Sequence, residues 1–173
     1  MVPARAGETH FDVLGVGRTF ALDVSDLEQR YKTISRVLHP DRFARAEPAQ
    51  RMLSLQRATD LNQAYKTLRD PVRRAEYLLT LAGRDVGESS KDKVDPGFLM
   101  EIMELREGLL EARGQPEVVA KMAAEVRGRA DAALREIEAG FAAGDLERVA
   151  RAVVALRYFR RFLDEVEAAE EAA

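Results

Sequence analysis

Apolar residues in this chain recur three and four positions apart and nowhere alternate over the length of a strand, so helices are the regular structure it encodes. Leu27, Tyr31, Ile34 and Leu38 follow that spacing and predict one buried stripe on a helix. Ser25 with Glu28 three residues on has the capping-box pattern and is expected to open this helix. Pro40 is expected to end it, because its ring disfavours helical geometry at His39 and it has no N–H. A second helix is predicted over about 48–68, with Met52, Leu55, Leu61, Tyr65 and Leu68 among its apolar positions, packing on the first as an antiparallel hairpin. Before them, "THFDVLGV" reads as a helical turn followed by a loop at Gly15 and Gly17. After them, "DPVRRAEYLLTLAG" reads as a short helix with Pro71 in its first turn and Gly83 as its stop.

The most polar stretch, "GRDVGESSKDKVDPG", reads as a linker, with 85–97 separating two domains, 1–84 and 98–173. Three helices are predicted in the second half, over about 95–112, 116–139 and 145–170, parted by Gly114-Gln115-Pro116 and by Gly140 to Asp145. The expected fold is all-α, a helical hairpin domain followed by a three-helix bundle.

Hydrophobic residues make up 46 % of the chain and charged residues 33 %, which suits a folded helical protein and not a disordered one. The absence of Cys excludes disulfides, thiolate metal sites and a cysteine nucleophile. No apolar run approaches the roughly 18 residues of a membrane span, and "MVPARAGETHF" lacks the apolar core of a signal peptide, so a cytoplasmic protein is expected, with no membrane partner. A net charge of -3 argues against nucleic acid as a partner of the whole chain. The charge is divided: residues 1–84 carry 14 Lys and Arg against 10 Asp and Glu, and residues 85–173 carry 13 against 20. Two halves of opposite sign suggest two different partners.

The tripeptide His39-Pro40-Asp41 admits several readings. A His–Asp pair can act as base and orienter, but no nucleophile or Gly-rich loop accompanies it, and a metal site would need more ligands than two separate histidines supply. As a turn, Pro40 stops the helix and Asp41 bonds a backbone N–H. As a docking edge, the turn continues a basic helix face: Lys32 and Arg36 lie four apart, away from the apolar stripe, and Arg42 and Arg45 follow.

The surrounding residues resemble a known family. "YKTISRVLHPDRF" is similar to the second helix and His-Pro-Asp loop of J-domains, and "LNQAYKTLRDPVRRAEY" to their third helix and the turn after it. The resemblance implies a co-chaperone that docks on the seventy-kilodalton heat-shock chaperone, of the HscA or DnaK type, and stimulates its ATPase. His39, Pro40 and Asp41 would form the stimulating loop, with Lys32, Arg36 and Arg42 on the docking surface. Val37 stands where many J-domains have a basic residue. "RAEYLLTLAG" and "DPGFLMEIMELREGL" resemble the HscB (Jac-type) co-chaperones of iron–sulfur cluster assembly, in their bacterial form, since the Cys-based zinc module of longer eukaryotic relatives is missing.

On a helix, Phe98, Ile102, Leu105 and Leu109 make a sufficient core stripe, while Leu99, Met103 and Leu110 make a second one with Met100, Glu104, Glu107 and Glu111 along its outer edge. Either the helix packs against two neighbours, or an adaptable Met/Leu patch with an acidic border meets a partner with a basic rim. In the last helix, Val149, Val153, Leu156, Phe159, Leu163 and Val166 read as core, with Tyr158 and Phe162 pointing away from it. The resemblance implies that Leu99, Met100, Met103, Glu104, Glu107, Glu111 and Tyr158 bind the iron–sulfur scaffold protein, of the IscU type. Gly108 lies inside this helix, where it costs about 1 kcal/mol relative to Ala. The expected function is a non-enzymatic adaptor without a cofactor of its own. A J-domain protein for another client and a His- or metal-dependent hydrolase are the alternatives.

Overall fold

Prolines and left-handed glycines punctuate the helices. The structure is a computed structural model that describes residues 7–84, 86 and 94–171. Among the described residues seven α-helices follow in order: α1 (His10–Leu14), α2 (Val24–Leu38), α3 (Pro48–Arg69), α4 (Pro71–Leu81), α5 (Pro96–Glu111), α6 (Pro116–Ala143) and α7 (Leu146–Glu171), with a 3-10 turn over Pro40–Phe43 between α2 and α3. No strand occurs among the described residues. Four of the helices begin on a proline, whose missing N–H falls where no intrahelical acceptor exists. The chain forms two compact units, Met1–Leu78 and Leu79–Ala173. Residues 85 and 87–93 of the expected linker lie outside the described residues.

In the first unit, α1 and α2 both pack on α3. Phe11, Leu14, Leu27, Leu61, Ala64 and Leu68 are its buried centre. The sequence expectation needs three corrections here. Asp23, not Ser25, caps α2: its carboxylate accepts from the Ser25 and Asp26 amides at 2.8 and 3.2 Å. Both are good capping residues, and the earlier one takes the role because the helix begins at Val24. Of the predicted α2 stripe only Leu27 is buried, with Tyr31, Ile34 and Leu38 half-buried. Tyr31 sits at the edge of the hairpin, where its ring stacks on Tyr65 at 4.2 Å and its hydroxyl donates to Asn62 Oδ1. On α3, Met52 and Leu55 are exposed, and Ser54 occupies the buried face instead. Arg74 of α4 is buried, donating to the Leu68 carbonyl at 2.7 Å with its guanidinium 4.9 Å from the Phe20 ring centre.

In the second unit, α6 and α7 pair along their length and α5 packs on both. Ile102, Val126, Ile137, Val149, Val153 and Leu156 are central to the core. Gly140 does not separate helices: α6 runs through it to Ala143 and ends at Gly144, whose φ of 69° supplies the left-handed cap. A Cβ on Gly140 would lie 2.7 Å from Val149 Cγ2, so the glycine permits α6 and α7 to approach. Phe162 is fully buried rather than pointing outward, and Leu163 is half-buried. Because α7 packs against two helices, its buried arc is wider than a single stripe. Gly108 faces Met122, whose Cε would stand 3.2 Å from an added Cβ, so it marks close packing of α5 on α6.

Candidate functional site

Within the first unit, α2 stops at Leu38 and the chain turns extended at His39 (φ -57°, ψ 128°). The next residues wind into the 3-10 turn, held by Arg42 N–H to His39 O at 3.0 Å and Ala44 N–H to Asp41 O at 3.3 Å. Asp41 was expected to bond a backbone N–H; instead the Asp41 amide donates to His39 Nδ1 at 3.3 Å. The His39 side chain is 56 % exposed and that of Asp41 89 %, with Asp41 Oδ2 3.5 Å from His39 Nδ1, so the ring and the carboxylate both face solvent side by side. Such a site can recognise a partner's polar groups but does not exclude water from a reaction.

Pro40 takes the first position of the turn and fixes its backbone entry. Lys32, Arg36 and Arg42 are exposed. Lys32 Nζ lies 2.6 Å from Glu28 Oε1, an i,i+4 pair that partly neutralises it and lowers the Glu28 pKa through its hydrogen bond. Arg36 and Arg42 have no ion-pair partner among the described residues. The residue that sequence reasoning missed is Ser54. Its hydroxyl donates 2.8 Å to the Leu38 carbonyl, tying the end of α2 to α3 directly before His39. Its one sequence signal is its place seven residues before Leu61, on the core face of α3. The other histidine, His10, is half-buried and stacked on Tyr77 at 4.4 Å. Burial pushes its pKa down, with the Asp60 carboxylate opposing.

Within the second unit, two ion pairs pin α5 to its neighbours: Arg106 to Glu165 of α7, at 2.5 Å, and Glu101 to Arg129 of α6. Ile102 and Leu109 face inward. Met100 and Met103 remain 64 % and 69 % exposed, and Leu99 is half-buried. Glu104, Glu107 and Glu111 are exposed and have no ion-pair partner among the described residues. Tyr158 of α7 is half-buried, its ring edge-on to Phe98 at 5.6 Å, which holds it beside the start of α5. No group of three His, Cys, Asp or Glu residues suited to a metal ion occurs among the described residues, nor a helix long and apolar enough to cross a membrane.

A hairpin ending in the His39-Pro40-Asp41 turn, with His39 and Asp41 exposed, and followed by a second helical unit, is the arrangement that the J-domain co-chaperone resemblance implies. Residues 9–77 match the DnaJ domain and residues 94–167 match the HSCB C-terminal oligomerisation domain. The co-chaperone protein HscB homolog of Burkholderia vietnamiensis is 39 % identical over 161 residues, covering 92 % of each chain. The chain belongs to the HscB co-chaperone family. Its fold is similar to chaperone HscB from Vibrio cholerae, with a TM-score of 0.86 and 32 % identity over 94 % of this chain and 98 % of that one. Human co-chaperone protein HscB aligns with a TM-score of 0.92 at 27 % identity, over 99 % of this chain and 86 % of that one.

Proposed function

We propose that this co-chaperone is a cytoplasmic, non-enzymatic adaptor for iron–sulfur cluster assembly. His39, Pro40 and Asp41, with Lys32, Arg36 and Arg42, engage a seventy-kilodalton chaperone of the HscA or DnaK type and stimulate its ATPase. Leu99, Met100, Met103, Glu104, Glu107, Glu111 and Tyr158 hold a scaffold protein of the IscU type, while ATP hydrolysis and cluster ligation are the work of the partners. The observation that carries this reading is the uncovered Met100/Met103 surface with its unpaired acidic edge, on a chain whose other unit exposes the His39–Asp41 turn. A partner bound to both surfaces is presented at raised effective concentration, which is how an adaptor without chemistry accelerates a reaction.

The test is steady-state ATPase of the cognate chaperone, with and without scaffold protein, against increasing co-chaperone. His39→Gln is expected to abolish stimulation while leaving the helical CD signal and melting cooperativity intact, since an exposed loop side chain carries little of the core. Met103→Ala with Tyr158→Ala is expected to remove only the scaffold-dependent part. A wild-type chain that stimulates the chaperone yet captures no scaffold would reassign the second unit to a different client.

A further inference from the structure

We infer that Leu110 is a scaffold-contacting residue, lengthening the α5 patch into a continuous apolar ridge; the inference rests on the scaffold-binding reading above. Leu110 is 57 % exposed; a lone exposed leucine is ordinary, but this one continues the exposed Met100 and Met103 on a helix whose inward face holds Ile102 and Leu109. It lies seven residues past Met103 and therefore about 20° from it around the helix. Leu99 lies on the same side, about 40° from Met103, so the three side chains form one line along α5 about 16 Å long. One flank of that line is Arg106, committed to Glu165, so the helix is fastened there and the ridge itself stays uncovered. The other flank is Glu107, Glu111 and Glu104, about 40°, 80° and 100° round from Met103.

This arrangement fixes the chemistry of the occupant. Three exposed carboxylates without ion-pair partners among the described residues repel one another and disfavour a partner with an acidic rim. A second copy of this chain, docking through the same face, would set these carboxylates against their equals. The fitting occupant is a protein surface with an apolar strip two helical turns or more in length, edged on one side by Lys or Arg. Continuity with Met100 and Met103 assigns that surface to the scaffold protein.

The experiment is calorimetric titration of the full-length chain with the purified IscU-type scaffold, using Leu110→Gln, Leu110→Met and Met103→Gln. Gln is a strong helix former, so α5 persists and only the apolar contact is lost. Leu110→Gln is expected to weaken binding roughly tenfold, or about 1.4 kcal/mol, and Leu110→Met less than about twofold, because Met preserves the apolar surface. Weakening by Met103→Gln with no effect of Leu110→Gln overturns the inference and leaves the scaffold reading standing. A wild type that does not bind the scaffold overturns both. Light scattering that shows Leu110→Gln splitting a self-associated chain, with scaffold affinity unchanged, overturns it in favour of self-association.

Discussion

Ser54→Ala is the most direct probe of how the core of the first unit is coupled to the His39–Asp41 turn. The last carbonyls of a helix have no intrahelical donor. At the end of α2, the amide that would next be available, Arg42 N–H, bonds His39 O instead. The Leu38 carbonyl takes the Ser54 hydroxyl, at 2.8 Å, from a side chain with no solvent exposure. Removing the hydroxyl costs about 1 kcal/mol if water can reach the carbonyl and up to about 3 kcal/mol if it cannot. The contact is only part-buried, which favours the lower figure. About 1 kcal/mol corresponds to an approximately fivefold rise in local opening. Hydrogen exchange, read at the last turn of α2 and at the Arg42 and Ala44 amides, is therefore the assay. Ser54→Ala should speed exchange there about fivefold. It should also raise the co-chaperone concentration needed for half-maximal ATPase stimulation by no more than that factor, leaving the maximum unchanged. Ser54→Cys, of similar size but a weak donor, should fall between the two. Unchanged exchange at these amides would refute the coupling and show that the bond carries nothing to the turn.

Two glycines should respond to alanine with opposite sign in urea unfolding. Gly108→Ala should stabilise by up to about 1 kcal/mol from helix propensity, because the crowding atom is the flexible end of Met122. Gly140→Ala should instead destabilise by about 1–3 kcal/mol through overpacking, because the atom at 2.7 Å belongs to the buried, β-branched Val149; a raised midpoint would show that Val149 moves aside. Asp12 accepts from the Thr9 hydroxyl and amide in the cap of α1, and these bonds hold its pKa below the ordinary carboxylate value. A depressed folded pKa contributes stability above the unfolded value that is lost as pH falls through the folded one, so NMR titration of Asp12 should give a midpoint below that of free aspartate, and a midpoint at or above it would remove the cap from the acid response. If chaperone docking uses the exposed Lys32, Arg36 and Arg42 and scaffold binding the apolar ridge, as proposed, raising salt should weaken the first more than the second; equal slopes in titrations of the two would contradict that division.

Helix boundaries were legible where a residue can do only one thing. Pro40 stops α2 because its ring and missing N–H cannot continue a helix, Pro71 fits a first turn for the same reason, and Gly83 follows the end of α4 with a φ of 80° that most residues avoid. Where two residues can serve, the pattern alone misleads: Asp23 and Ser25 both cap well, and the choice depends on where the loop before α2 releases the chain. Gly140 reads locally as a break, but its reason for being glycine lies in Val149 of another helix, which no local window contains. Phe162 was misplaced for a related cause, since a helix with two neighbours buries more than one stripe. The candidate site shows the same split. The excess of apolar residues on α5 over what one packing face requires was visible as a count of stripes. The identity of the residues around His39 rested on a resemblance. Ser54 was invisible because a serine on a helix looks solvated until its acceptor is known.

What links these cases is that each unit breaks the inside–outside rule beside its candidate surface. In the first, a polar side chain, Ser54, is fully buried one hydrogen bond away from the residue before His39. In the second, Met100, Met103 and Leu110 stay outside on a helix whose inward face is already filled by Ile102 and Leu109. Each departure carries a cost for the isolated fold: a buried hydroxyl must find a partner, as Ser54 does at Leu38, and exposed apolar ridges favour aggregation. A fold that keeps both is accounted for if the first holds a turn still for recognition and the second is covered only when a partner arrives. The same logic explains why the acidic residues cluster at the ridge. On the proposed reading, Glu104, Glu107 and Glu111 keep the uncovered apolar strip soluble by mutual repulsion between copies of the chain, and would give a partner with a basic rim the advantage over every neutral or acidic surface that meets the same apolar line.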